Sequence, residues 1–305
     1  MRKIKLEDIS SISKPSIVDY EGVDIPIYYK RGSNQKLIVI FHGAVDQTVR
    51  KIPFFQSHLD GLQGVHQISI ADPTLARNSK LKTSWYLGAN DIPLQKILPQ
   101  FFQDLCKHLK VKRTIYFGAS SGGHAALHYS HRHPESLAVA ANPQTTLSDF
   151  LESAVGNYRV YCWPELKQNS ELTSVVAVDL GELYAESVPN FVCIINSCGD
   201  RYHLFKQTMP LMSKIQIQGR NKFILHCDFY GVLGHSGAIP YKSCAAWIDA
   251  ATQAPDFRPD NILKTYHQLS EKIANASAAP VAAQALAEPS DDDIRVARAL
   301  RNWQI

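Results

Sequence analysis

The sequence predicts an α/β fold around a mostly parallel sheet, on three observations. Six short apolar runs, at 37–41, 65–71, 114–117, 137–141, 191–196 and 223–227, show no alternation of polar and apolar residues. Such runs suit strands covered on both faces, the habit of a parallel sheet. Helical stretches at 95–110, 123–130 and 241–251 separate or follow them, and strand–helix–strand order places helices on both faces. Before them, residues 17–30 alternate around Gly22 and read as an antiparallel hairpin of two early strands.

The chain has 305 residues, of which 45% are hydrophobic and 20% charged, enough apolar material for a large core. We expect one α/β domain over residues 1–255, with an inserted lid at about 144–190, because that interval is too long for an ordinary connection. Residues 256–305 read as a helical tail. It contains an alanine-rich linker at 274–289 and a short amphipathic helix carrying Ile294, Val296, Leu300 and Trp303 behind three aspartates, a possible protein-docking element. A net charge of +4 is too small to argue for nucleic acid, and the basic cluster at 107–113 reads as a solvated helix end. No run is long enough to span a membrane and no signal peptide is visible, so a cytoplasmic protein is expected. The six cysteines are scattered, without a Cys-x-x-Cys pair, and read as buried thiols.

Chemistry concentrates at Gly118-Ala119-Ser120-Ser121-Gly122, where an apolar strand runs into Gly-x-Ser-x-Gly and then a helix. That pattern places a serine on a sharp strand-to-helix turn, with glycines where backbones must approach closely. Ser120 is the expected nucleophile; a second frame centred on Ser121 needs alanine in place of the first glycine. A serine needs a base and an acid, in the chain order Ser, Asp, His. His235 hangs on a glycine-flanked loop after the last strand. Asp200 closes the run at 191–196, and Asp228 competes with it from the end of the last strand. The oxyanion requires two backbone donors. Ser121 follows the nucleophile, and Ala44 follows His42-Gly43 after the first parallel strand.

These motifs together resemble the α/β-hydrolase superfamily over about residues 37–251. The resemblance implies an acyl-enzyme at Ser120, His235 as general base and then acid, Asp200 orienting it, and Ala44 and Ser121 as oxyanion donors. More weakly, residues 118–123 together with Asn142-Pro143-Gln144-Thr145 are similar to hydrolase-like proteins of bacterial surface-glycan and glycoprotein biosynthesis, some of them O-acetyltransferases. The expected function is therefore serine-dependent hydrolysis of an ester or acylated glycan. The alternatives are transfer of the acyl group to a sugar hydroxyl, or a noncatalytic member that docks a partner.

Tyr158, Tyr161 and Trp163 in the insertion are candidates for stacking on sugar rings, although packing of the lid against the body is the more frequent role of such rings. His124, His128 and His131 fall at i, i+4 and i+7 and read as an exposed helix face rather than a metal site. Neither a phosphate-binding loop nor a dinucleotide fingerprint is present, so no cofactor is expected.

Overall fold

The computed structural model describes residues 1–235 and 238–276, and their nine strands form one sheet. The first three are β1 (Arg2–Ile4), β2 (Ser16–Tyr20) and β3 (Val23–Lys30), the last two being the expected hairpin. The six apolar runs become β4 (Lys36–Phe41), β5 (His66–Ile70), β6 (Arg113–Ala119), β7 (Leu137–Ala141), β8 (Phe191–Ser197) and β9 (Phe223–Asp228). In space the order is β1-β2-β3-β5-β4-β6-β7-β8-β9. Only β3 runs against the others, pairing antiparallel with β2 and β5. β1 has three residues, two of them basic, which is too little pattern to read from sequence.

The helices are α1 (Leu94–Leu109), α2 (Ser121–His131), α3 (Glu152–Cys162), α4 (Leu180–Glu186), α5 (Met209–Lys214), α6 (Tyr241–Gln253) and α7 (Pro259–Ala276). The period-two rule sends successive strand side chains to opposite faces. Val39, Phe41 and Tyr116 enter a core with α1 and α2, while Ile40, Ile115 and Phe117 enter a second core with α6. The lid between β7 and β8 supplies α3 and α4, helices of its own as expected. Among the described residues no helix is long and apolar enough to cross a membrane.

Packing of the body continues past residue 255. Phe257 and Ile262 are buried against α6, and Tyr266 stacks on Trp247 with ring centroids 3.9 Å apart. The linker beyond 276 and the terminal amphipathic helix lie outside the described residues.

Three surface expectations need correction. Arg113 is half-buried: its guanidinium donates to the carbonyls of Ala251 and Ala254 and lies over the Phe257 ring. It therefore caps the C-terminus of α6, where a cation meets the unpaired carbonyls. Cys198 and Cys227 are exposed at the ends of β8 and β9, whereas the other four cysteines are buried.

The third correction concerns α2, whose histidines are not exposed. His124, His128 and His131 have 0%, 2% and 7% exposure, because α2 is wedged between the sheet, α1 and α4. His124 Nδ1 bonds the Gln144 carbonyl, and both nitrogens of His128 are buried without a protein partner. Burial pushes both imidazoles down, His124 to about 4. Below about pH 6.5 the unfolded chain therefore takes up protons that the folded chain refuses, so stability falls as the pH falls, by about 1.4 kcal/mol per unit for His124 until its folded value is reached, with His128 adding in the same direction. Urea unfolding should show about 2 kcal/mol less stability at pH 5 than at pH 7 from His124, with a further loss in the same direction from His128. His128→Leu should show a smaller loss than wild type, and a flat wild-type profile would contradict the burial argument.

Candidate active site

Ser120 sits between β6 and α2 with φ 55° and ψ −118°, a conformation that costs a non-glycine residue about 1–3 kcal/mol. Neighbouring contacts hold it there: its N–H donates to the Ala141 carbonyl at 2.9 Å, and its own carbonyl accepts from His124 N and Gln144 N. The flanking glycines are required by close approach. A Cβ at Gly118 would lie 2.1 Å from the Gly122 carbonyl oxygen, and one at Gly122 would lie 2.7 Å from that of His42. Ser121, the alternative frame, is the first residue of α2 and is 1% exposed.

Three residues from separate loops then form a continuous hydrogen-bond chain. Ser120 Oγ lies 3.0 Å from His235 Nε2, and His235 Nδ1 lies 2.6 Å from Asp200 Oδ2. Asp200 is 2% exposed at the end of β8. Burial pushes its carboxyl up, but hydrogen bonds from His203 and His235 outweigh that and hold it well below the usual carboxylate range. An ionised carboxylate only accepts, so Nδ1 of His235 carries the proton and Nε2 is left free to take one from Ser120. Asp228, the competing acid, is exposed and accepts from the N–H of Phe229.

Sequence reasoning missed His203. Its Nδ1 lies 3.0 Å from Asp200 Oδ1, its backbone N–H donates to the same oxygen, and its ring stacks on His235 with centroids 3.9 Å apart. Burial pushes its imidazole down, keeping it neutral. Its position three residues after Asp200, on the next helical turn, was the available signal. Asp200, His203 and His235 offer ligand atoms within 4.8 Å of one another, the one such group among the described residues. Both Nδ1 atoms are engaged by the carboxylate.

Gln144 was also missed as a site residue. Its Nε2 donates to Ser120 Oγ at 2.8 Å, and its Oε1 accepts from the indole N–H of Trp85. The loop expected to supply an oxyanion donor lies alongside: a Cβ at Gly43 would come 3.9 Å from Ser120 Cβ. His42 is buried there. Its Nε2 accepts from Asp72 N at 3.1 Å, so its Nδ1 carries the proton and donates to the Gly43 carbonyl at 2.7 Å. In a trans peptide the carbonyl and the following N–H point opposite ways, so this bond turns the Ala44 N–H away from His42.

Of the three lid aromatics, Tyr158 presents no stacking platform. Tyr158 is 0% exposed and its hydroxyl donates to the Gly88 carbonyl, so neither ring face is open to a sugar. Trp163 donates its indole N–H to the Tyr158 hydroxyl, and Trp163 and Tyr161 are half-buried in the same lid-to-body core. For Tyr158, burial of the ring between lid and body won over exposure.

A scan of protein-family models finds no match to this chain, and no curated protein matches it. Solved structures do. The chain is similar to the capsule O-acetyltransferase of Neisseria meningitidis serogroup A, with a TM-score of 0.55 and 15% identity over 84% of this chain and 95% of that one. Prolyl oligopeptidase B from Galerina marginata matches with a TM-score of 0.51 and 15% identity, over 83% of this chain but 37% of that one. A 2,6-dihydroxy-pseudo-oxynicotine hydrolase matches with a TM-score of 0.50 and 11% identity, over 79% and 68%. At such identities the likeness is one of fold, and the fold is that of the α/β-hydrolases.

Proposed function

We propose that this chain is a serine hydrolase of esterase type, acting on an ester or acylated carbohydrate through an acyl-enzyme at Ser120. The observation that carries the proposal is the unbroken chain from Ser120 Oγ through His235 to the buried Asp200 carboxylate. As Oγ attacks the acyl carbon, its proton passes to His235 Nε2, and the carbonyl electron pair moves onto oxygen. Ser121 N–H, in the first turn of α2 where helix donors have no intrahelical partner, and Ala44 N–H receive that oxyanion. Collapse expels the leaving alkoxide, which takes the proton from His235. Water then repeats the sequence in reverse, regenerating Ser120. No step calls for a cofactor. The assembled relay favours chemistry over a purely noncatalytic docking role.

A second reading is O-acyltransfer in surface-polysaccharide or glycoprotein biosynthesis, favoured by the likeness to nearly the whole capsule O-acetyltransferase. It uses the same acyl-enzyme and differs only in the hydroxyl that attacks it. Water is about 55 M, so an acceptor sugar must be held at high effective molarity to win.

A fluorophosphonate probe tests the shared step. It should label Ser120, as located by peptide mapping, and labelling at Ser121 or none in folded protein would refute the proposal. Adding a panel of sugars and glycans to a model ester separates the two readings: plain hydrolysis predicts free acid throughout, whereas transfer predicts acyl-sugar with the right acceptor.

A further inference from the structure

The Ser120 hydroxyl has one partner more than a proton relay needs. His235 Nε2 stands ready to take its proton, while Gln144 Nε2 donates to the same oxygen from 2.8 Å. Which end of the amide faces Ser120 is fixed chemically. An indole N–H can only donate, so Trp85 must meet the carbonyl end of Gln144 and leave the NH₂ end for Oγ. Gln144 is 2% exposed, and its backbone N–H donates to the Ser120 carbonyl at 3.1 Å. Trp85 is aimed with equal care. It and Tyr86 hold positive φ values of 51° and 57°, costly for aromatic residues. The buried Asp72 carboxylate fixes that loop by accepting from Tyr86 N at 2.8 Å and from the Ser84 hydroxyl at 2.7 Å. The lid rings of Tyr158 and Phe150 pack edge-on against the indole, each with centroids 5.8 Å away.

We infer that Gln144 is a further catalytic residue, whose side-chain N–H stabilises negative charge on Ser120 Oγ while the acyl–oxygen bond forms and again while it breaks. The inference rests on Ser120 being the nucleophile. In the first half-reaction Oγ gains negative charge as its proton moves to His235. In the second the C–Oγ bond breaks, its electron pair goes to Oγ, and His235 returns a proton. Gln144 gains and loses no proton in either. A hydrogen bond to a charged oxygen is roughly twice as strong as one to a neutral oxygen, so the contact favours both transition states over the resting hydroxyl and the ester. Trp85 is a positioning residue: it acts only by holding the amide end for end.

The rate at which a fluorophosphonate probe labels Ser120 tests this, because phosphonylation forms an Oγ–P bond, expels fluoride and passes the hydroxyl proton to His235. Gln144→Ala should label about ten- to hundredfold more slowly. Gln144→Glu, nearly isosteric and so available should the alanine variant unfold, keeps the indole contact but sets an acceptor against Oγ, drawing its proton away from His235. It should be slower still at pH 8, and its rate relative to wild type should rise as acidification protonates the new carboxyl and restores a donor. A packing role would not produce that pH-dependent ratio. Trp85→Phe should lose less, and adding it to Gln144→Ala should cost nothing more. If wild type is labelled but Gln144→Ala keeps pace within twofold, or the Gln144→Glu ratio is flat with pH, the inference falls and the Ser120 reading stands. If folded wild type is not labelled, the nucleophile assignment falls and takes this inference with it.

Discussion

Ser120→Ala is expected to lower turnover of a model ester by about 10⁴- to 10⁶-fold, since removing the nucleophile of such a relay leaves only binding and oxyanion stabilisation. The fold should survive. Alanine occupies the same backbone conformation as serine, and the lost hydroxyl leaves behind one amide hydrogen of Gln144 and one nitrogen of His235, the latter on a side chain that is 39% exposed. The melting temperature should therefore shift by no more than a few degrees, corresponding to about 1 kcal/mol. Ser121→Ala is the control for the reading frame and should keep activity within a few-fold, because Ser121 is asked only for its backbone N–H. If the alanine at 121 proves to be the dead variant, the frame is wrong.

Asp200→Asn should lower kcat by about 10⁴-fold, for a reason particular to this site. The carboxylate serves two imidazoles, and asparagine can supply only one oxygen. Oδ1 accepts from the backbone N–H of His203 at 3.2 Å, and the ring Nδ1 of His203 lies 3.0 Å from both carboxylate oxygens, so two His203 donors draw the acceptor to the Oδ1 side. The asparagine oxygen therefore stays with His203, and the amide NH₂ faces His235. His235 must then carry its proton on Nε2, where it points at Ser120 and cannot accept from it. Asp228→Asn should change kcat by less than a few-fold, since that side chain is exposed and serves only its neighbour Phe229. Single-turnover measurements with a chromogenic ester separate the acylation rate from any effect on KM. The reverse ranking of the two variants would move the acid to β9.

Much of this was legible in the chain because it is local. Residues 116–125 contain strand, elbow and helix in one stretch, and the geometry follows from glycine and serine spacing alone. The order Ser120, Asp200, His235 placed the relay, since each residue ends or follows an apolar run. The rest depended on contacts across the fold. Gln144 lies 24 residues from Ser120, and a glutamine carries no signature of what it will touch. Trp85 reaches it from a loop whose strain is invisible in composition. The burial of α2 did have a signal, passed over in favour of histidine spacing: residues 121–131 contain no Asp, Glu, Lys or Arg. A helix without a charged side chain has no face intended for water. Tyr158 failed as a sugar platform because the sequence shows ring content and not which way a ring turns.

The way the lid joins the sheet sets how freely this scaffold can be rebuilt. β7 and β8 are direct neighbours paired over five positions, and Asn142, just past β7, accepts from the backbone N–H of Ser197 at 2.9 Å. The two strands are thus registered to each other directly, whereas α4 from the same interval packs beneath both of them, so a chimera that replaces only the segment carrying α3 should leave that register undisturbed. The graft point is not arbitrary, however. Gln144 donates to Ser120 Oγ at 2.8 Å, and the backbone N–H groups of Thr145 and Thr146 are tied to Gln207 at 2.7 and 3.0 Å. A transplanted segment should begin after Thr146, end before α4, whose Leu180, Leu183 and Tyr184 belong to the core under β7 and β8, and supply its own ring against Trp85.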